Sequence, residues 1–486
     1  MNDLGKRLAE KTKQLEQVAF SGALRPKFHL APPTGWMNDP NGLCQYNGIY
    51  HVFFQYSPED AEGSGMKNWG HYSSPDLINW DYRGAVLFPD EPIDKDGVYS
   101  GSALIREDGI YLYYTGNVKE GEGFDYTYEG RGANTILVVS PDGKQFGKKE
   151  LLMDHADYPQ DCTCHVRDPK VWKQEDRYYM VQGARKIDPT QKEHGEHNDI
   201  GEILVFTSED ARRWQLCNRV TTPKRFGYMW ECPDYFTLSQ GQVKILSVSP
   251  QGVPEETYRY QNIFQSGYFR LQGDLDGEYT LSDFVEWDRG FDFYEPQTFQ
   301  DERGRRVLIG WAGIPDPHYD NQPTIEEGWQ HCLTMPREIR YEDGKIKQYP
   351  VVEMQKHRDQ LIWNDGEDGF RLTQKAWEWQ LQHLEKEWCI RIADAGTQSG
   401  VCLQFHEGVF EVSFFGDSAK EVGRGRTTRK MLLQSVDSLS IYYDVSIMEV
   451  YLNGGELVFT TRFYTTDSLE IMTSPSMGTG SLWSWK

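Results

Sequence analysis

Asn47-Gly48-Ile49-Tyr50-His51-Val52-Phe53-Phe54 is a tight polar turn followed by β-branched and aromatic residues around one histidine, the signature of a hairpin's second strand. The pattern returns four times: Asp108-Gly109-Ile110-Tyr111-Leu112-Tyr113-Tyr114, Asp176-Arg177-Tyr178-Tyr179-Met180-Val181, Gln240-Gly241-Gln242-Val243-Lys244-Ile245-Leu246 and Arg303-Gly304-Arg305-Arg306-Val307-Leu308-Ile309. Between Gly48, Gly109, Asp176, Gly241 and Gly304 the steps are 61, 67, 65 and 63 residues. In three units a second turn follows, over 74–80, 140–146 and 208–214, closing on Trp80, Phe146 or Trp214. Five near-equal units of about four short strands predict an all-β fold, a five-bladed β-propeller, which leaves few strand edges exposed. A large sandwich with look-alike turns would not space them so evenly.

Outward from the repeat, the chain divides into four stretches. Residues 1–24 form an N-terminal extension whose first 20 residues read as a short amphipathic helix, with Leu4, Leu8, Leu15 and Val18 on its apolar side. Residues 25–355 carry the propeller. Residues 356–388 are charged and read as a linker. Residues 389–486 contain alternating runs at 408–415, 438–443, 448–452 and 457–461, which predict a C-terminal β-sandwich.

Composition narrows the function. The 51 Lys+Arg against 74 Asp+Glu give a formal charge of −23, which argues against nucleic acid and anionic membranes as partners. An aromatic content of 14% excludes a disordered acidic chain. No apolar run approaches the roughly 20 residues of a spanning helix, and the first residues lack a secretory signal. The eight dispersed cysteines then read as reduced thiols, and the expected location is cytoplasmic. Neither metal nor cofactor is expected. Cys162-Thr-Cys164 is too tight for a zinc knuckle, and Glu193-His-Gly-Glu-His197-Asn-Asp199 reads as a solvated loop because it lacks the helical His-Glu-x-x-His register. No glycine-rich phosphate loop or Gly-x-Ser-x-Gly elbow stands in a strand–helix context.

The innermost strand of a propeller blade lines the central channel, so the segments just before each hairpin marker come together at one end. They hold Asp39, 9 residues before its marker, Asp168 at 8 and Glu231 at 10, with Ser100 at 9 and Tyr294 at 10. Each has a bland explanation alone: Asn-Asp-Pro-Asn-Gly is turn chemistry, Arg167-Asp168 an ion pair, Cys232-Pro233 a bend. Together they aim three carboxylates into one funnel. Crowded carboxylates push their pKa values apart, so one can serve as nucleophile while another holds a proton. That is the apparatus of glycoside hydrolysis, and aromatic walls suit a neutral sugar.

At Trp36-Met-Asn-Asp39-Pro-Asn-Gly42, Arg167-Asp168-Pro169 and Glu231-Cys232 the chain resembles the invertase–levanase family, glycoside hydrolase family 32. Phe54-Gln55-Tyr56, Trp69-Gly70-His71, Tyr99-Ser-Gly-Ser102, Asp292-Phe-Tyr294, Gly310-Trp311 and Met335-Pro-Arg337-Glu338 extend the match, and Asp444-Val-Ser-Ile-Met-Glu449 echoes it near the C-terminus. The resemblance, strongest to intracellular bacterial members, implies a propeller joined to a sandwich. It implies a retaining β-fructofuranosidase acting on sucrose, its 6-phosphate or short fructans. By motif, Asp39 becomes the nucleophile, Glu231 the acid–base and Asp168 the transition-state stabiliser positioned by Arg167. Asn38, Gln55, Trp69, Ser100, Tyr294 and Trp311 join Arg167 in the substrate pocket.

Two positions depart from the family pattern. Glu62-Gly-Ser-Gly-Met-Lys67 stands where a tryptophan usually precedes Trp-Gly-His, and Glu295 stands where alanine is usual, a carboxylate expected to alter the leaving-group side. Rival readings are a five-bladed arabinan- or xylan-cleaving glycosidase, a fructosyltransferase, and a sugar-binding propeller without catalysis. The Arg-Asp-Pro and Glu-Cys-Pro-Asp strings favour the fructosidase. A phosphorylated substrate would need a cationic patch, which the sequence does not locate.

Overall fold

In the computed structural model, which describes residues 3–20, 22–363, 369–474 and 479–486, every repeat unit is an antiparallel sheet. The first strands of the five sheets are Gly35–Tyr46, Val98–Arg106, Cys162–Gln174, Met229–Leu238 and Tyr294–Gln300. Each touches the next and the fifth touches the first, so they ring the channel of a five-bladed propeller. Every hairpin marker turns the chain from this inner strand into the second strand of its blade. The second strands are buried along most of their length because blades cover both faces, which explains their nearly continuous apolar runs. Trp80, Phe146 and Trp214 each pack against a core between blades. The ring closes where Trp329–Gln330 adds to blade one, pairing Gly35 with Trp329 and Trp36 with Gln330 in parallel.

All five inner strands carry a bulge at the same level. Pairing to the second strand jumps from Met37 to Pro40, from Val98 to Gly101, from Arg167 to Lys170, from Glu231 to Asp234 and from Tyr294 to Gln297. Two residues are therefore freed in each strand: 38–39, 99–100, 168–169, 232–233 and 295–296. Bulges re-aim side chains, and these turn backbone that would be ladder into the channel lining. In blades three to five the first freed residue is left-handed, with φ of +63° at Asp168, +42° at Cys232 and +45° at Glu295.

The C-terminal half is a sandwich of two six-stranded antiparallel sheets around one apolar core. The linker expected over 356–388 is corrected here. Arg358–Trp363, Gly369–Leu372 and Ala376–Gln382 are sandwich strands, and Trp377, Trp379 and Leu381 are fully buried in its core. Residues 364–368 of that stretch lie outside the described residues. At the N-terminus, Asp3–Phe20 is a helix that buries Leu8 and Thr12, while the Leu15 and Val18 side chains lie outside the described ones. No described helix is long and apolar enough to cross a membrane.

Candidate active site

The bulges open into a cavity of about 530 Å³ at one end of the channel. Asp39, Asp168 and Glu231 line it, with Asn38, Gln55, Ser100, Arg167, Tyr294 and Trp311. Trp69 does not, and its expected place in the pocket is corrected. Its ring is wholly buried between blades one and two, beside Phe53 and Tyr114, and its Nε1 donates to the Tyr99 carbonyl at 3.1 Å. The alternation of its strand turns it away from Gln55's side of the sheet and into the blade core. The matching repeat positions need correction too. Asp168 is equivalent to Cys232 and Glu295, whereas Glu231 is equivalent to Arg167 and Tyr294. A two-residue bulge, not strict equivalence, brings the three acids together.

Asp39 is held by neighbours in its own and the next blade. Asn38 Nδ2 donates to Asp39 Oδ1 at 2.8 Å, and the Ser100 hydroxyl donates to Oδ2. Gln55 ties these donors together: it accepts from Asn38 at 2.9 Å and donates to Ser100 Oγ at 2.8 Å. Trp36 Nε1 donates to Asn38 Oδ1 at 2.7 Å, and its ring meets Trp311 edge-on at 5.9 Å. These two indoles form a flat apolar wall beside a carboxylate with a fixed orientation. The buried Nε1 of Trp311 has no protein partner among the described residues.

Glu231 sits across the cavity in a cradle of donors. Arg167 reaches its Oε1 through Nη2 at 2.5 Å and Nε at 3.2 Å. Gln251 Nε2 and the Tyr294 hydroxyl each donate to Oε2 at 2.7 Å. Arg167 therefore grips Glu231 more closely than Asp168, whose Oδ2 is 3.9 Å from its Nε. Asp168 is fixed instead through the backbone: Cys232 N donates to its Oδ2 at 2.9 Å, and its own N–H donates to Thr115 Oγ1 at 2.9 Å. Burial pushes its carboxyl up to about 7, against the opposing pull of Arg167.

Glu295 is the fourth carboxyl. Oxygens of Asp39 and Glu295 and the Cys232 sulfur lie within 4.8 Å of one another, all buried. Burial raises Glu295 well above the usual carboxylate range, and the Asp39 and Glu231 charges add to the shift. Glu295 is thus a protonated acid beside Asp39, and its influence falls first on the Asp39 side rather than on the leaving-group side. Where the family tryptophan was missed, Glu62, Gly63, Ser64 and Lys67 complete the wall, with Lys67 Nζ 5.1 Å from the Trp36 ring centre. Burial lowers Lys67 to about 8, against the Asp39 and Asp60 charges.

Sequence reasoning gave no role to Gln251, Tyr99 or Arg131, which also line the cavity. Gln251 ends the second strand of blade four, just beyond the partner of Glu231, and only the pairing register identifies it. The loop with His194 and His197 is exposed, as its composition suggested.

Comparison with known proteins agrees with this geometry. Residues 29–350 match the glycosyl hydrolases family 32 N-terminal domain, and residues 406–484 match the family's C-terminal domain. The chain is 36% identical over 488 residues to a sucrose-6-phosphate hydrolase of Bacillus subtilis, covering 98% of this chain and 96% of that one. It superposes on the structure of a sucrose-6-phosphate hydrolase from Lactobacillus gasseri with a TM-score of 0.87 at 27% identity, over 98% of this chain and 96% of the other. A Bombyx mori β-fructofuranosidase superposes with a TM-score of 0.84 at 27% identity, over 99% and 98% of the two chains.

Proposed function

This chain belongs to glycosyl hydrolase family 32, and from that premise we propose that it is a retaining β-fructofuranosidase cleaving the fructosyl linkage of sucrose or sucrose 6-phosphate. The supporting observation is the meeting of Asp39, Glu231 and Asp168 in one cavity, each held by different donors. Asp39, already ordered by Asn38 and Ser100, attacks the anomeric carbon of the fructosyl unit. Glu231 delivers a proton to the departing glycosidic oxygen as that bond breaks, leaving a covalent fructosyl–Asp39 ester. Glu231, now a carboxylate steadied by Arg167, takes a proton from water. The water oxygen bonds to the anomeric carbon, and the Asp39 carboxylate leaves. Two displacements restore the starting configuration. Asp168 hydrogen-bonds the fructosyl hydroxyls, and the Trp36–Trp311 wall packs against the ring.

The relatives named above cleave sucrose 6-phosphate or β-fructofuranosides, which supports the substrate class. A cytoplasmic setting goes with this reading: all eight cysteines are free, including Cys389 and Cys402 with sulfurs 3.3 Å apart. The test is steady-state kcat/KM on sucrose, sucrose 6-phosphate and 1-kestose, with product configuration followed by NMR. Asp39→Ala should abolish turnover, and Glu231→Gln should lower it by about 10²–10⁴ on substrates with poor leaving groups. Wild-type rates in Asp39→Ala, or an inverted first product, would overturn the assignment.

A further inference from the structure

Three cations line the catalytic cavity, and two of them already have an opposite charge to answer. Arg167 holds Glu231, and Lys67 faces Asp39 and Asp60 with its Nζ 2.8 Å from the Gly63 carbonyl. Arg131, first residue of the third strand of blade two, is different. Its Nε donates to Asn117 Oδ1 at 2.7 Å and its Nη2 to the Tyr99 hydroxyl at 3.2 Å, and both partners are neutral. Its guanidinium lies 5.5 Å from the centre of the Tyr99 ring. Among the described residues no carboxylate comes within ion-pair distance of it. Its charged neighbour is Arg167, and His165 hydrogen-bonds Arg167 between them without adding charge, since burial and the two arginines hold the imidazole neutral.

A guanidinium drawn out of bulk water beside a second cation is costly unless an anion joins it. Asn117 and Tyr99 use one hydrogen on Nε and one on Nη2, which fixes the plane and leaves the Nη1 hydrogens and one Nη2 hydrogen for a ligand. That remaining edge has the planar fork that matches phosphate oxygens. The cavity also carries Glu62 and Asp316, so in this chain of charge −23 a dianion meets net attraction only where Arg131 adjoins Arg167.

We propose that Arg131, set by Tyr99 and Asn117, is an anion subsite that takes the phosphate of a phosphorylated leaving-group sugar. The inference rests on the fructosidase reading, because that reading makes Glu231 the proton donor to the leaving group. Arg131 adjoins the arginine that grips Glu231, which puts the phosphate on the glucosyl side of the scissile bond. The preferred substrate is then sucrose phosphorylated on its glucosyl unit, and free sucrose is the poorer one.

The experiment compares kcat/KM for sucrose and sucrose 6-phosphate in wild type, Arg131→Gln and Arg131→Lys, each checked for wild-type melting behaviour. Glucose and glucose 6-phosphate serve as product inhibitors to read binding without turnover. Wild type should prefer the phosphorylated substrate and bind glucose 6-phosphate more tightly than glucose. Arg131→Gln should lower the phosphate-to-sucrose ratio by about 10- to 100-fold, the range of a charge-assisted hydrogen bond. Arg131→Lys should fall between, since an ammonium keeps the charge and loses the fork. A wild-type ratio near one overturns the inference, and so does an equal loss on both substrates, which would make Arg131 a positioning residue for Arg167. Failure of the fructosidase reading looks different: wild type would cleave neither substrate.

Discussion

At the residue scale the site is a problem of keeping four carboxyl groups together. Asp39, Asp168, Glu231 and Glu295 share one cavity, and the protein manages their repulsion unequally. Arg167 and neutral donors serve Glu231, Asn38 and Ser100 serve Asp39, and Glu295 is left to hold a proton. This makes Glu295 a test of the arrangement. Glu295→Gln keeps a neutral donor beside Asp39 and should retain activity within several-fold. Glu295→Ala removes the donor and should cost about 10- to 100-fold in kcat. The sign with pH follows from the raised pKa. Glu295 is protonated at neutral pH, and its ionisation at alkaline pH places a second negative charge beside Asp39, so activity falls there. In Glu295→Gln that alkaline fall should flatten, and an unchanged pH–rate profile would exclude this role. The carboxylates were legible as a group in the sequence because each precedes or adjoins a proline in a repeated segment. Their individual states were not, since burial and hydrogen bonding exist only once blades meet.

At the scale of elements, the decisive feature is the shared bulge. Offsets of 8, 9 and 10 residues from the hairpin marker pointed to one funnel, yet the one-residue disagreements concealed which residues are equivalent. Counting along a sequence cannot distinguish a paired residue from a bulged one. The same limit applies to Trp69, whose motif is visible but whose face is decided by strand alternation. The stretch Lys375-Ala-Trp-Glu-Trp-Gln-Leu381, by contrast, shows clean period-2 alternation that its charged surroundings obscured. Close packing between blades fixes the bulges in space. A Cβ on Gly183, the residue paired with Arg167, would lie 1.9 Å from the Trp230 carbonyl, immediately before Glu231. Gly183→Ala must displace either Arg167 or Glu231. Misplacement by about 1 Å can cost roughly 10²-fold, so kcat/KM should drop by that order in a protein that still folds. Gly277→Ala, in an open turn of blade four where the nearest atom is 3.7 Å away, should leave the rate unchanged. Equal losses in both variants would show that the Gly183 effect is not local.

At the scale of the molecule, the propeller and sandwich are joined by buried charge. Arg337 of blade five pairs with Asp288 at 3.0 Å and with Glu449 of the sandwich at 2.8 Å. Glu449 also meets His29 Nε2 at 3.0 Å, while His29 Nδ1 meets Asp444 at 2.9 Å. The Asp444 carboxylate further accepts from the backbone N–H groups of Lys27, Phe28 and His29, tying the start of the propeller chain to the sandwich. Separating the halves would strand these charges, so calorimetry should show one unfolding transition rather than two. The joint also sets a pH window. Burial lowers the His29 pKa, but Asp444 and Glu449 outweigh it and hold the imidazole at about 9, above its ordinary 6.5. Its contribution is therefore fully present below about 6.5 and is lost as pH rises through 9, amounting to about 3 kcal/mol at roughly 1.4 kcal/mol per unit. Glu449 works in the opposite sense. Burial raises it, but Arg337 and His29 draw it down to about 2 from 4.5, so its contribution is present above 4.5 and fades as pH falls through 2. Both are complete only between about pH 4.5 and 6.5, where Tm should be highest. His29→Gln should lower Tm most inside that window and flatten the decline between pH 6.5 and 9. A variant whose Tm–pH curve simply runs parallel to wild type would remove His29 from the joint.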